Sequence, residues 1–194
     1  MFKKILQTIF FGLTLVSCDQ GSDVISLAGE CDRYTDSASS PYKLPYSVGT
    51  TIQVAQGNCS AISHYGPQRY AYDFNMGVGT NILAARAGTV VKITETNSDG
   101  NGCPNDNHVY VRHSDGTVAA YIHLTKNGVL VSQGQVIAQS DVIAQSGNTG
   151  CSSGPHLHFV VYSDSNYSTS IPVTFSNTTT HSRGLRAGQS YRAN

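Results

Sequence analysis

The chain of 194 residues has little charge (12% Asp, Glu, Lys and Arg together) and only two glutamates, Glu30 and Glu95. A zinc peptidase of the HExxH kind needs a glutamate between two helical histidines, and neither glutamate stands in that context. No GxSxG elbow presents a serine nucleophile, and no glycine-rich phosphate loop is present. The cysteines never come as CxxC, which removes the usual spacing of zinc–thiolate centres. Net charge is zero, and about −2 once a leader carrying Lys3 and Lys4 is removed, so a basic nucleic-acid footprint is missing. No repeat or low-complexity block stands out. No long apolar pattern of period 3.6 is present either, which leaves no long helix to expect.

What remains is rich in Ser, Thr, Asn, Gly, Tyr and Val, the composition of a strand-rich exported protein. From Tyr46 onward short alternating runs succeed one another: "TIQVAQG", "YAYDFN", "NILAARAGTVVKIT", "HVYVRHSDGTVAAYIHL", "GVLVSQGQVIAQS" and "PHLHFVVYS". Gly77, Gly79, Gly88, "SDG" at 114–116, "KNG" at 126–128, Gly147 and Gly150 punctuate them at sandwich or barrel spacing. "HSDGT" reads as a hairpin, and "IPVTF" offers one further edge strand. The expected class is all-β or mainly β and antiparallel, a single domain at 46–175 with a polar tail at 176–194.

The N-terminus reads as targeting. Lys3 and Lys4 precede "ILQTIFFGLTLV", which is short for a membrane span, and "LVSC" at 15–18 resembles the bacterial lipobox. Residues 1–17 are thus expected as a lipoprotein signal peptide and Cys18 as the lipidated N-terminus, anchoring the protein to a membrane of the bacterial cell envelope. An ordinary cleaved signal peptide is the alternative. Residues 18–45 read as an arm or linker. Four cysteines are left, an even number in an exported chain, so two disulfides are expected. The favoured pairing is Cys31–Cys59, tying the arm to the domain, and Cys103–Cys151, joining the loops "DGNGCPND" and "GNTGCSSG".

The chemistry concentrates in histidines, of which there are seven. In "SGPHLHF" the strand period puts His156 and His158 on one face and Leu157, Phe159 and Val161 on the other. His64 and Asp73 stand in "SHYGPQRYAYDF", and His123 in "YIHL". Asp73 falls on the strand face opposite Tyr72 and Phe74, free to point at a shared centre while those rings pack. His113, His108 and His181 read as hairpin-flanking, loop and tail residues. Tyr65, Tyr70 and Tyr121 read as packing more than chemistry. Thiol catalysis by Cys151 near His156 needs a free thiol, which the even cysteine count disfavours.

The stretches "SHYGPQRYAYDFNMGVGT", "AARAGTVV", "HSDGTVAAYIHL" and "GNTGCSSGPHLHF", in this order over residues 50–162, resemble the lysostaphin-like (LytM-type) zinc metallopeptidases that cut peptidoglycan cross-links. The resemblance implies an antiparallel, barrel-like sandwich of the duplicated hybrid-motif type, with long loops around a groove. It implies one Zn²⁺ per chain held by His64, Asp73 and His158, with His123 and His156 as the catalytic pair. It departs from the best-known members in having eight residues between His64 and Asp73 where they have three. Two imidazoles and a carboxylate suit zinc with a fourth position for water, whose pKa such an ion lowers to about 7. With no glutamate base, a neutral imidazole takes the proton.

The implied function is a zinc endopeptidase acting on peptidoglycan stem peptides and facing the periplasm or the outside. A regulating envelope protein stays open, as does the scissile bond, either D-Ala to diaminopimelate or a glycine bridge. The alternatives are a non-catalytic scaffold that activates cell-wall amidases, and a carrier module like biotinyl domains. The carrier reading lacks a hairpin-tip lysine.

Overall fold

The computed structural model describes Cys31 and residues 34–194; the expected leader, the Cys18 anchor and most of the arm lie outside them. Eleven strands follow in order: β1 Thr51–Gln56, β2 Tyr72–Asn75, β3 Asn81–Leu83, β4 Gly88–Thr94, β5 His108–Arg112, β6 Val118–Ile122, β7 Leu124–Val129, β8 Val136–Ile137, β9 Val142–Ser146, β10 His156–Tyr162 and β11 Ser190–Arg192. Eight form one sheet in the order β11-β1-β2-β10-β6-β5-β4-β8, and β3-β9-β7 form a second. Every pairing is antiparallel. The all-β antiparallel expectation is met, but both sheets stay open and no barrel closes among the described residues.

Alternation decides which face packs. One face of the large sheet gives Val54, Phe74, Val109, Val111, Tyr121, Leu157, Phe159 and Val161 to the main core, where Ile82, Leu124 and Ile143 of the small sheet meet them. The other face carries a smaller cluster of Ala71, Tyr110, Val118, Ala120, Ile122, Val160 and Tyr162. Since β6 and β10 bury both faces, they are the hydrophobic centre of the sheet, and truncating Phe159 to alanine costs about 3–5 kcal/mol. The SDG hairpin forms between β5 and β6, closed by His113 N to Thr117 O (2.8 Å), with Gly116 at φ +86°. Asp115 reinforces it by accepting from Thr117 N and Oγ1. Both expected disulfides are formed.

Several expectations need correction. The segment 176–194 is no appended polar tail: β11 pairs with β1, and Leu185 and Ala193 are buried in the core. Its few apolar residues are spread too thinly to show a period. Before residue 46 the arm already packs, since Tyr42 and Leu44 share the side turned to the core and Lys43 N donates to Ala85 O. "IPVTF" forms no edge strand; Val173 and Phe175 are buried in irregular chain, and only Ser170 bridges to Tyr162. "KNG" does not end a strand but bulges within β7, with Asn127 at φ +56° and the register to β9 shifting. "NILAARAGTVVKIT" divides into β3 and β4, which belong to different sheets.

Candidate active site

Strand β10 lies between β2 and β6, so His158 is paired to Asp73 on one side and to Ile122 on the other. This register sets His158, Asp73 and His156 together on the face away from the main core. His123 follows Ile122 directly, at φ +67°. A left-handed backbone at a non-glycine residue costs on the order of 1 kcal/mol, and here it turns an imidazole toward the β10 histidines. The ring of His123 lies 4.7 Å from that of His156 and 5.7 Å from that of His158. His64 comes from the loop before a 3₁₀ turn, Gly66–Gln68, and its ring meets that of His158 at 5.1 Å. All five expected site residues are therefore neighbours.

One oxygen is the focus. Asp73 Oδ1 lies 2.8 Å from His158 Nδ1, 3.2 Å from His64 Nε2 and 3.7 Å from His156 Nε2. The Nδ1 atoms of the other three rings are committed to main-chain carbonyls. His64 Nδ1–H donates to Gly57 O (2.7 Å), His123 Nδ1–H to Thr149 O (2.7 Å) and His156 Nδ1–H to Gly154 O (2.8 Å). A carbonyl only accepts, so in the neutral rings each Nε2 carries a lone pair. Burial of Asp73 opposes its ionisation, but a proton shared with the imidazole of His158 or His64 holds the carboxyl well below the usual carboxylate range. Burial, with His156 and His158 nearby, lowers His123 to about 4, and burial also lowers His158.

These facts test whether a cation fits. Lone pairs on His64 Nε2 and a carboxylate oxygen face each other, and His64 Nε2 is buried without a hydrogen-bond partner. A proton or a metal ion must lie at such a convergence for it to be stable. The donors of His64, Asp73 and His158 lie within 4.8 Å of one another, and two nitrogens with one oxygen suit zinc. His123, His156 and His158 also meet that separation but offer no carboxylate.

The loop holding Thr149 O is well restrained. Asn107 N donates to Thr149 Oγ1, Asn148 N to Asp99 Oδ1, and Gly150 N to Asn101 Oδ1. Cys103–Cys151 spans the same two loops. At Gly150 (φ +74°) a side chain would strike Asp106, its Cβ only 2.6 Å from that residue's Cβ.

Among the other residues singled out in the sequence, His108 differs from expectation. His108 is no loop residue: it begins β5, is buried on the site face, and bonds Asp106 (2.6 Å) and Thr94 (3.2 Å). His113 is structural, donating to Ala87 O beneath the ring of Tyr42. Tyr121 packs in the core and takes a bond from Ala85 N, while Tyr65 is exposed beside His64. Gln68 went unnoticed in the sequence, yet its Oε1 lies 3.0 Å from His158 Nε2. A glutamine in a polar loop gives no signal of this; only its place five residues before Asp73 hints at it.

Known proteins resemble this chain in sequence and in fold. Lysostaphin of Staphylococcus simulans is 34% identical over 113 residues, covering 57% of this chain and 22% of that protein. A protein of Vibrio cholerae serotype O1 named peptidoglycan DD-endopeptidase ShyA is 36% identical over 87 residues, 45% of this chain and 18% of its own. The chain thus spans about a fifth of the length of such curated relatives. Among solved structures, lysostaphin matches with a TM-score of 0.53 at 26% identity, over 70% of this chain and 52% of that one. Pseudoalterin, titled an M23 metalloprotease from the deep sea, matches in fold with a TM-score of 0.56 at 19% identity, over 80% and 96%. The model of peptidase family M23 matches residues 67–170, more than half of the chain, and to that family the protein belongs.

Proposed function

We propose that this peptidase is a zinc-dependent endopeptidase that hydrolyses peptide cross-links of bacterial peptidoglycan. The observation that carries the reading is the convergence of His64, Asp73 and His158 on one point, with the rings of His123 and His156 beside it. The names of the relatives, lysostaphin and a peptidoglycan DD-endopeptidase, support the substrate class. His64, Asp73 and His158 are the residues that would hold the ion. Bound there, zinc supplies a Lewis acid that makes water a nucleophile near neutral pH.

The protein's own part is the handling of protons. His123 and His156 present unprotonated Nε2 atoms, because their Nδ1–H groups are held by Thr149 O and Gly154 O. Either can accept a proton from the attacking water at Nε2, and the ring so protonated can then pass that proton to the developing oxyanion or to the leaving amine. The carbonyl bonds keep both rings from turning over during this exchange. A scaffold that only binds partners needs none of this, which favours the enzyme. By its leader sequence the protein is proposed to sit in the envelope, anchored by lipid at Cys18. The test is digestion of purified sacculi by the zinc-loaded protein, followed by mass spectrometry of the released peptides. Cross-linked dimers should become monomers, and a chelator should stop the reaction; sacculi that keep their cross-links would refute the proposal.

A further inference from the structure

His158 differs from the other three histidines of the site. Each of those gives its Nδ1–H to a main-chain carbonyl, an acceptor no side-chain substitution removes. In His158 both ring nitrogens face side-chain oxygens: Nδ1 lies 2.8 Å from Asp73 Oδ1, and Nε2 lies 3.0 Å from Gln68 Oε1. A neutral imidazole carries one proton and one lone pair, so it can donate to only one of these.

The surroundings of Gln68 decide which. Its Nε2 donates to Tyr162 Oη at 2.8 Å, which turns its Oε1 toward His158. Tyr162 stands four residues beyond His158 on the same face of β10, so the amide lies between two side chains of one strand. The backbone holds Gln68 in place: its N–H bonds Tyr65 O at 3.1 Å, and Ala71 N donates to its O at 3.0 Å. One short segment, 68–73, thus brings an acceptor to each nitrogen of the same ring.

From this geometry we infer that Gln68 is a positioning residue for the metal site: by accepting Nε2–H it sets the tautomer of His158 and leaves the Nδ1 lone pair directed toward Asp73 and His64. The inference rests on the zinc reading above and deepens it. Partners that orient a ligand histidine in this way commonly change metal affinity by about 10- to 100-fold when removed.

The experiment compares wild type with Gln68→Met, which removes the acceptor at similar length, Gln68→Glu, which keeps it, and His158→Ala. Zinc affinity is measured by competition with a chromophoric chelator, and ring protons by ¹⁵N–¹H correlation spectra of the metal-free wild type. Gln68→Met should bind zinc roughly 10- to 100-fold more weakly, and Gln68→Glu should restore the wild-type value within about threefold. The spectrum should place the His158 proton on Nε2. Wild-type zinc affinity in Gln68→Met, or a proton on Nδ1, would overturn the inference while leaving the metal site intact. If His158→Ala binds zinc as well as wild type does, the zinc reading itself is wrong and the inference falls with it. The wild-type spectrum decides the matter even if Gln68→Met does not fold.

Discussion

His158 Nδ1 and Asp73 Oδ1, 85 residues apart in sequence, lie 2.8 Å from each other because β10 and β2 pair in a register that sets the two residues directly opposite. A one-residue slip of β10 against β2 would turn His158 into the core while Asp73 stayed on the site face. The metal is therefore expected to depend on both partners. His158→Ala, His64→Ala and Asp73→Ala should each purify without stoichiometric zinc, as read by elemental analysis. Removing the ion from wild type should lower its melting temperature, since at zinc a hundredfold above Kd binding adds about 2.7 kcal/mol to stability. A wild-type melting curve indifferent to chelator and zinc would count against the site.

His123→Ala and His156→Ala should behave otherwise. Their rings lie next to the proposed ligand set, not in it, so zinc should stay near one per chain. Turnover should fall by about 10²–10⁴, the usual range for losing one general acid or base. KM should change little, because the loss is in the transition state. Zinc content beside kcat and KM for the five single variants separates the two kinds of histidine. Loss of zinc from His156→Ala with retention in His158→Ala would reverse the roles within the pair.

Much of this was legible from side-chain alternation. The period of two placed His156 with His158 on one face, and it placed Asp73 opposite Tyr72 and Phe74, both of which are buried in the core. A two-residue period is a local property, so a sequence carries it openly. What stayed hidden depends on distant chain. Gly57 O, Thr149 O and Gly154 O orient the imidazoles, but a carbonyl has no residue identity to read. Gln68 acts through a side chain, yet no pattern marks an amide whose partner stands 90 residues away. His108 was misplaced because a strand that begins on a histidine looks like the loop before it. The last strand, β11, escaped notice because Ser190–Arg192 has one apolar side chain to show.

The disulfide Cys103–Cys151 closes a separation of 48 residues and ties the loop that carries Thr149 O to the loop that carries Asn101. By chain entropy such a closure contributes about 4 kcal/mol. Cys151→Ser should lower the melting temperature, by roughly 8–16 °C for a chain of this size. Activity should also fall, because Thr149 O holds the ring of His123. Calorimetry and a turnover assay at 15 °C, where both forms are folded, test the two effects separately. A variant as stable and as active as wild type would show that the asparagine network holds the loop alone.

The acid side of the stability profile follows from the buried histidines. In the metal-free protein burial, with His156 and His158 beside it, lowers His123 to about 4, although Asp106 acts in the opposite direction. Burial also lowers His158 and His113. A histidine whose folded pKa lies below its unfolded value binds fewer protons when folded, so stability rises with pH between the two values. For His123 that window runs from about 4 to 6.5, and by its lower end the loss is about 3 kcal/mol. Metal-free protein should therefore melt progressively lower from pH 6.5 down to 4. His123→Gln, which cannot take up the proton, should flatten part of that slope. Zinc-loaded protein should melt higher than the metal-free form near pH 7 and lose that advantage toward acid, since the ligand side chains must be deprotonated to hold the ion. Melting curves of the three samples at half-unit pH steps make the comparison, and equal slopes for wild type and His123→Gln would show that His123 is not buried as a neutral ring.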